Sequence, residues 1–235
     1  MNHAALRASG DGFASIDLST RERLKGEAQR LIAEFGVDGV STRDIVKAAG
    51  QKNVASLHYY FGTKERLLEE LVIDATILME GRRAVALDAL IASGEPITVR
   101  ELVRVLAIGA AVQGEPGERM RTVSRFLVAL FPKHRRVFET AIGDKLNVTY
   151  QTCLAMIRAR APQVPLEILN TRLLFMSLSL LQLFAAREAA MEASPTARAY
   201  WASRAMVETI VDAMCGMILA PVSFPDRTVS TVTNG

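Results

Sequence analysis

Cysteine, histidine and strand-like alternation are all scarce in this sequence, and each scarcity removes a class of protein. The two cysteines, Cys153 and Cys215, are too far apart for a metal or redox motif and read as buried thiols in a reducing cytosol. The three histidines, His3, His58 and His134, are scattered. No His-Glu-x-x-His or paired glutamate–histidine motif exists to supply a helical metalloenzyme. Net charge is only +3, so any nucleic-acid binding must come from a local basic patch rather than a global field. The longest strongly apolar run, Leu173–Ala186, has 14 residues against about 20 for a bilayer span. It also lacks the basic face of a membrane-surface helix. No basic segment followed by an apolar run opens the chain, so no signal peptide is read there. The expectation is a cytoplasmic protein with no cofactor, no metal and no membrane partner.

Sustained alternation of β-branched and polar residues is missing too, and helical periodicity fills the chain instead. An all-α protein is expected. Residues 1–18 and 221–235 lack periodicity and read as flexible tails. Ser19-Thr20-Arg21-Glu22 fits a capping box for a first helix that carries Leu24, Ala28, Leu31, Ile32 and Phe35 and stops at Gly36. Ser41 caps a short second helix ending at Gly50. A third runs to Phe61, Gly62 breaks it, and Thr63 caps a long fourth. Three helices within about 60 residues, two of them short around a glycine turn, predict a helix-turn-helix domain over 19–66. Residues 67–220 predict a larger helical domain, with helices near 63–92, 97–113, 117–131, 133–160, 165–192 and 196–219 between Pro and Gly stops.

The third helix, ASLHYYF, is ring-rich for its length. At 100° per residue, Val54, Leu57 and Phe61 share an inward face with Tyr60 beside them. Ala55, Ser56 and Tyr59 point outward, Lys52 and Asn53 enter from the turn, and His58 flanks them. Small side chains, hydroxyls and an amine suit a helix lying in a major groove. Ala55 allows close approach, while Ser56 and Lys52 bond base edges. Tyr59 and His58 reach phosphates, which set register rather than sequence. Ser41, Thr42 and Arg43 at one helix start and Lys64 at another add phosphate donors on both sides.

Residues 20–68 resemble the DNA-binding domain of the TetR family of bacterial transcriptional regulators. The resemblance rests on Phe35-Gly36, on Ser41-Thr42-Arg43-Asp44-Ile45 with Ala48-Ala49-Gly50, and on Tyr60-Phe61-Gly62-Thr63-Lys64-Glu65 leading to Leu67-Leu68. There are two departures. The turn Gly50–Val54 is one residue longer than the commonest form, and His58 stands where a tyrosine is frequent. The resemblance implies double-stranded DNA as a partner, a homodimer, and a C-terminal domain that binds a small, largely apolar effector. It points to a repressor on a palindromic operator, released by that effector.

In the larger domain, Leu173–Ala186 is apolar on every face, which requires burial all round. With the helix near 196–219 it predicts a four-helix dimer interface through Leu174, Leu178, Leu181, Trp201, Met206 and Ile210. A dimer also reads two half-sites, which a single head cannot. Candidate ligand contacts are Gln113, Phe126, Leu127, Leu130, Tyr150, Met156 and Gln182, mixing adaptable apolar side chains with orienting amides. The competing reading is a helical enzyme or a small-molecule-binding protein without DNA function. No catalytic constellation supports an enzyme.

Overall fold

A computed structural model describes residues 8–111, 122–131, 134–142 and 146–223. Among them all regular structure is helical. The elements are α1 (Ala8–Phe35), α2 (Thr42–Ala48), α3 (Ala55–Phe61), α4 (Lys64–Ala92), α5 (Val99–Ala110), α6 (Val123–Leu130), α7 (Arg135–Ile142), α8 (Val148–Arg160), α9 (Leu166–Ala193), α10 (Pro195–Ala202) and α11 (Arg204–Leu219). The chain is all-α, as its periodicity predicts.

Four boundaries differ from the sequence reading among the described residues. The first helix begins at Ala8 and runs through Ser19, so its start is not the Ser19 box. The helix expected over 117–131 has Thr122 as its N-cap and starts at Val123, residues 117–121 lying outside the described residues. The segment expected as one helix over 133–160 is two, α7 and α8. Asn147 is non-helical, and a distant carboxylate, Glu80 of α4, takes the Thr149 amide at 2.8 Å and the Tyr150 amide at 3.3 Å. The last expected helix is divided at Ser203. This residue is extended (φ −62°, ψ 145°), and its hydroxyl donates to the Tyr200 carbonyl and accepts from the Met206 amide. One serine therefore ends one helix and starts the next.

In the N-terminal third, α1 to α3 and the start of α4 enclose a small core of Leu24, Ala28, Ile32, Ile45, Val46, Leu57, Phe61 and Leu67, all buried. In the remainder, α5 packs on α4 and α8, α9 takes α6 and α10, and α11 lies across α5 and α9. The α6 helix also packs on α1, so the two parts meet at α4 and at α6. By length and composition α9 could cross a membrane. Its charges have partners inside this fold: Arg172 donates to the Ile218 and Ala220 carbonyls, Arg187 to the Trp201 carbonyl, and Glu188 accepts two amides of α6. About a third of its apolar stretch is buried, and these bonds tie its charged residues into the helical body.

Candidate nucleic-acid interface

The α2–turn–α3 unit is built from devices no longer than a few residues. Ser41 and Asp44 form a reciprocal capping box: the Ser41 amide donates to the Asp44 carboxylate at 2.9 Å and the Asp44 amide to Ser41 Oγ at 3.2 Å. The Ser41 hydroxyl also donates to Asp44. These bonds, the side-chain one first, hold the Asp44 carboxyl below the usual carboxylate range. At the other end, Gly50 at φ +71° lets its own amide reach the Lys47 carbonyl and the Gln51 amide reach Val46. This is a Schellman closure, and residues with a Cβ rarely adopt its left-handed residue.

The start of α3 is held by Asn53. Its Oδ1 accepts from the Ala55 amide at 2.9 Å, and its carbonyl accepts the Ser56 hydroxyl at 2.7 Å. Leu57 and Phe61 go into the core while Val54 and Tyr60 are half-buried, the inward set that the spacing predicts. Outside stand Lys52, Asn53, Ala55, His58 and Tyr59, with Ser56 half-buried at their centre. Tyr59 is 76 % exposed and packs edge-on against Tyr60, ring centroids 5.0 Å apart. An exposed phenol braced this way keeps its hydroxyl outward at little entropic cost.

Several expected contacts need revision in detail. Lys64 does not point outward. Its ammonium donates to the Val37 and Val40 carbonyls, tying the α1–α2 connection to α4, and burial lowers its pKa. Two of its three N–H groups are thereby committed inside the protein. Ser41 has its hydroxyl proton on Asp44, so it has none for a phosphate. Ser56 has its proton on Asn53, so it meets a base edge as an acceptor. His58 bonds the Gly62 carbonyl through Nδ1 at 2.6 Å, a closure at the end of α3 that leaves Nε2 as its outward nitrogen. Thr42 is half-buried, and Arg43 is exposed beside it. Lys47, exposed in the last turn of α2, is a further cation beyond those expected from the sequence. Its position one turn beyond Arg43 is the signal that places it on the same face.

The expected ligand contacts do not gather around one cavity. Phe126, Leu127 and Leu130 are buried in the core, Tyr150 is held by its hydroxyl to Ser177 at 2.6 Å, Met156 is half-buried, and Gln113 lies outside the described residues. Gln182 is exposed and lines a cleft of about 340 Å³ with Val128, Phe131 and Leu178. A larger cleft of about 600 Å³ runs between α4 and α5, lined by Ile77, Gly81, Arg82, Val85 and Ile108, and contains none of the expected residues. Of the expected dimer contacts, Leu174 and Leu178 are exposed on α9, joined by Phe175. Leu181, Trp201 and Met206 are half-buried. Ile210 is corrected: at 4 % exposure it belongs to the chain's own core and has no surface to offer a partner.

These features define a helix-turn-helix head with a projecting, polar third helix. Residues 26–71 match the family described as bacterial regulatory proteins, tetR family. That match makes the head, from α1 into α4, a domain of the tetR family of bacterial regulatory proteins. Among solved structures it is similar to a TetR family transcriptional regulator, PfmR from Thermus thermophilus. The identity is 18 % and the TM-score 0.47, over 83 % of this chain and 97 % of that chain. No curated protein sequence matches it.

Proposed function

We propose that this regulator binds a palindromic operator as a homodimer and acts as a repressor released by a small, largely apolar effector. The observation that carries the DNA reading is the outward face of α3. Ala55 and Ser56 are flanked by Lys52, Asn53, His58 and Tyr59, with Arg43 and Lys47 of α2 exposed nearby. In a major groove Ala55 permits contact with a thymine methyl, and Ser56 accepts from an exocyclic amine. Tyr59, Thr42 and the cations hold phosphates.

The exposed apolar strip Leu174, Phe175 and Leu178 supports a dimer, because three large apolar side chains side by side on one helix favour a covering partner. The two apolar clefts support an effector of that character. Release works through the long helix α4, which is gripped from α1 by Arg21 to Glu70 and by Lys25 to Asp74 at 2.8 Å. An effector that favours one placement of α4 changes the separation of two heads that must meet grooves about 34–36 Å apart.

The test is substitution on α3 and α2 with binding measured across a salt series. Tyr59→Ala weakens all duplexes alike, and Ser56→Ala alters preference at particular base pairs. Lys47→Ala lowers the slope of log affinity against log salt by about 1. If all three leave affinity, preference and slope unchanged, α3 is not the reader.

A further inference from the structure

On α1, Arg21, Lys25 and Gln29 stand one turn apart on one face. The first two hold Glu70 and Asp74 of α4. The third reaches a different helix: Gln29, 2 % exposed, donates its amide to Thr122 Oγ1 at 2.8 Å. Thr122, 5 % exposed, is the N-cap residue of α6, yet its side chain makes no capping bond to that helix. The amides it would ordinarily serve are taken from the opposite side. The Glu188 carboxylate of α9 accepts the Ser124 and Arg125 amides, both at 2.9 Å. The first turn of α6 is therefore shared, its cap hydroxyl facing the head and its amides facing α9. Next to Glu188, Arg187 is buried and donates to the Trp201 carbonyl in the last turn of α10.

We propose that this first turn of α6 is a second joint between head and body, and that Glu188 is the positioning residue through which α9 sets the angle of the head. The proposal rests on reading α3 as the DNA-contacting helix. Its physical content is leverage. Lys25 and Gln29 are about 6 Å apart along α1, one bonded to α4 and the other to the α6 cap. A single attachment leaves the head free to turn, whereas two fix its angle. A slide of about 1 Å of α6 past α4, ordinary for packed helices, turns the head by roughly 10°. The joint transmits because it is largely buried and polar: a partner that moves away leaves a desolvated donor or acceptor unsatisfied, which is costly, so the partners move together. Since α9 also carries the exposed strip Leu174, Phe175 and Leu178, that strip and the residue that orients the head are on one element.

The experiment compares the full-length wild type with Glu188→Gln, Gln29→Leu and the double variant. Two readouts are used: amide hydrogen exchange of the free protein, and affinity for duplex obtained by site selection. Gln is nearly isosteric with Glu but keeps one acceptor oxygen, so Glu188→Gln weakens one of the two amide bonds without opening a cavity. Exchange is expected to rise about tenfold in α6 and in α1 near Gln29 while α11 keeps its protection. Duplex affinity is expected to change about threefold or more although Glu188 is far from α3 in the chain, and the double variant is no worse than the stronger single one, as for residues on one path. Unchanged exchange in α1 overturns the proposal, because Glu188 is then only a local cap. A uniform rise in every helix overturns it too, since that is global destabilisation. If wild type binds no duplex, the DNA reading fails, and the exchange comparison still decides the joint. Should Glu188→Gln not fold, Thr122→Val removes the hydroxyl that accepts from Gln29, and α1 exchange decides in the same way.

Discussion

In the head each short helix is closed by its near neighbours, whereas in the body several helix ends are held by side chains from distant helices. Ser41 and Asp44 close α2, Asn53 closes α3, and Thr63 accepts the Arg66 amide to close α4. No bond in that set spans more than three residues. In the body, Glu80 of α4 caps α8 across 69 residues and Glu188 of α9 caps α6 across 64. Carboxyl ends are treated likewise: Arg82 donates to the Ile108 and Ala111 carbonyls ending α5, and Arg172 to the Ile218 and Ala220 carbonyls ending α11. A charged cap from a distant helix complements the helix dipole and fixes the angle between two elements with one set of bonds. The difference teaches that the head is organised to present one helix, and the body to keep its helices in register with one another.

This contrast predicts unequal responses to substitution, greatest in the body. Glu80→Ala removes the α8 cap and the partner of Arg83 at 2.9 Å, whose Nε already lacks one. Two α8 amides left without their acceptor and a largely desolvated guanidinium left without its carboxylate together cost about 3 kcal/mol, read by chemical denaturation. A loss below about 1 kcal/mol, no more than an exposed pair contributes, would remove the distinction between the two regions.

Glu188 gives the next effect. Burial, opposed by the bonds from Arg125 and Ser124, pushes its carboxyl up to about 7. The folded chain thus holds this proton more tightly than the unfolded one. The stability linked to it is present in full below the ordinary carboxylate range and is lost as pH rises through about 7. The decline amounts to about 3 kcal/mol at most. Glu188→Gln removes this component of the slope, measured by denaturation from pH 4.5 to 8. An equal slope in the variant would assign the pH dependence elsewhere.

In the head, Gly50→Ala places a Cβ on a residue at φ +71° and costs about 1–2 kcal/mol. The smallest effect is Asn53→Ala, which removes the α3 cap for about 1 kcal/mol. Both are measured by thermal unfolding. Head substitutions that cost more than Glu80→Ala would invert the comparison.

The same contrast explains what was legible from the sequence. The Ser41 cap, the Gly50 and Gly62 stops and the inward set Leu57 and Phe61 are local patterns, and the structure keeps them. Arg21, Lys25 and Gln29 were not legible as a joint. Their partners lie 49 to 93 residues away, and only polar side chains beside Leu24 and Ala28 on a buried face hinted at them. Lys64 looked like a phosphate donor because position at a helix start was all the sequence offered, while its bonds go to backbone carbonyls that carry no residue-specific signal. Ile210 reads as a partner contact in the sequence because an apolar helix face looks alike whether a second copy or its own core covers it. The break at Ser203 is not legible because a serine within a helical pattern serves equally as a surface residue.

The most direct test of the central claim, that α3 reads DNA as one of a pair, is selection of binding sites from a random duplex library by the full-length protein across a salt series. The account predicts a palindrome with half-sites about one helical turn apart and affinity that falls steeply with salt. No enriched sequence at any salt concentration, with or without a panel of small apolar compounds, would contradict it.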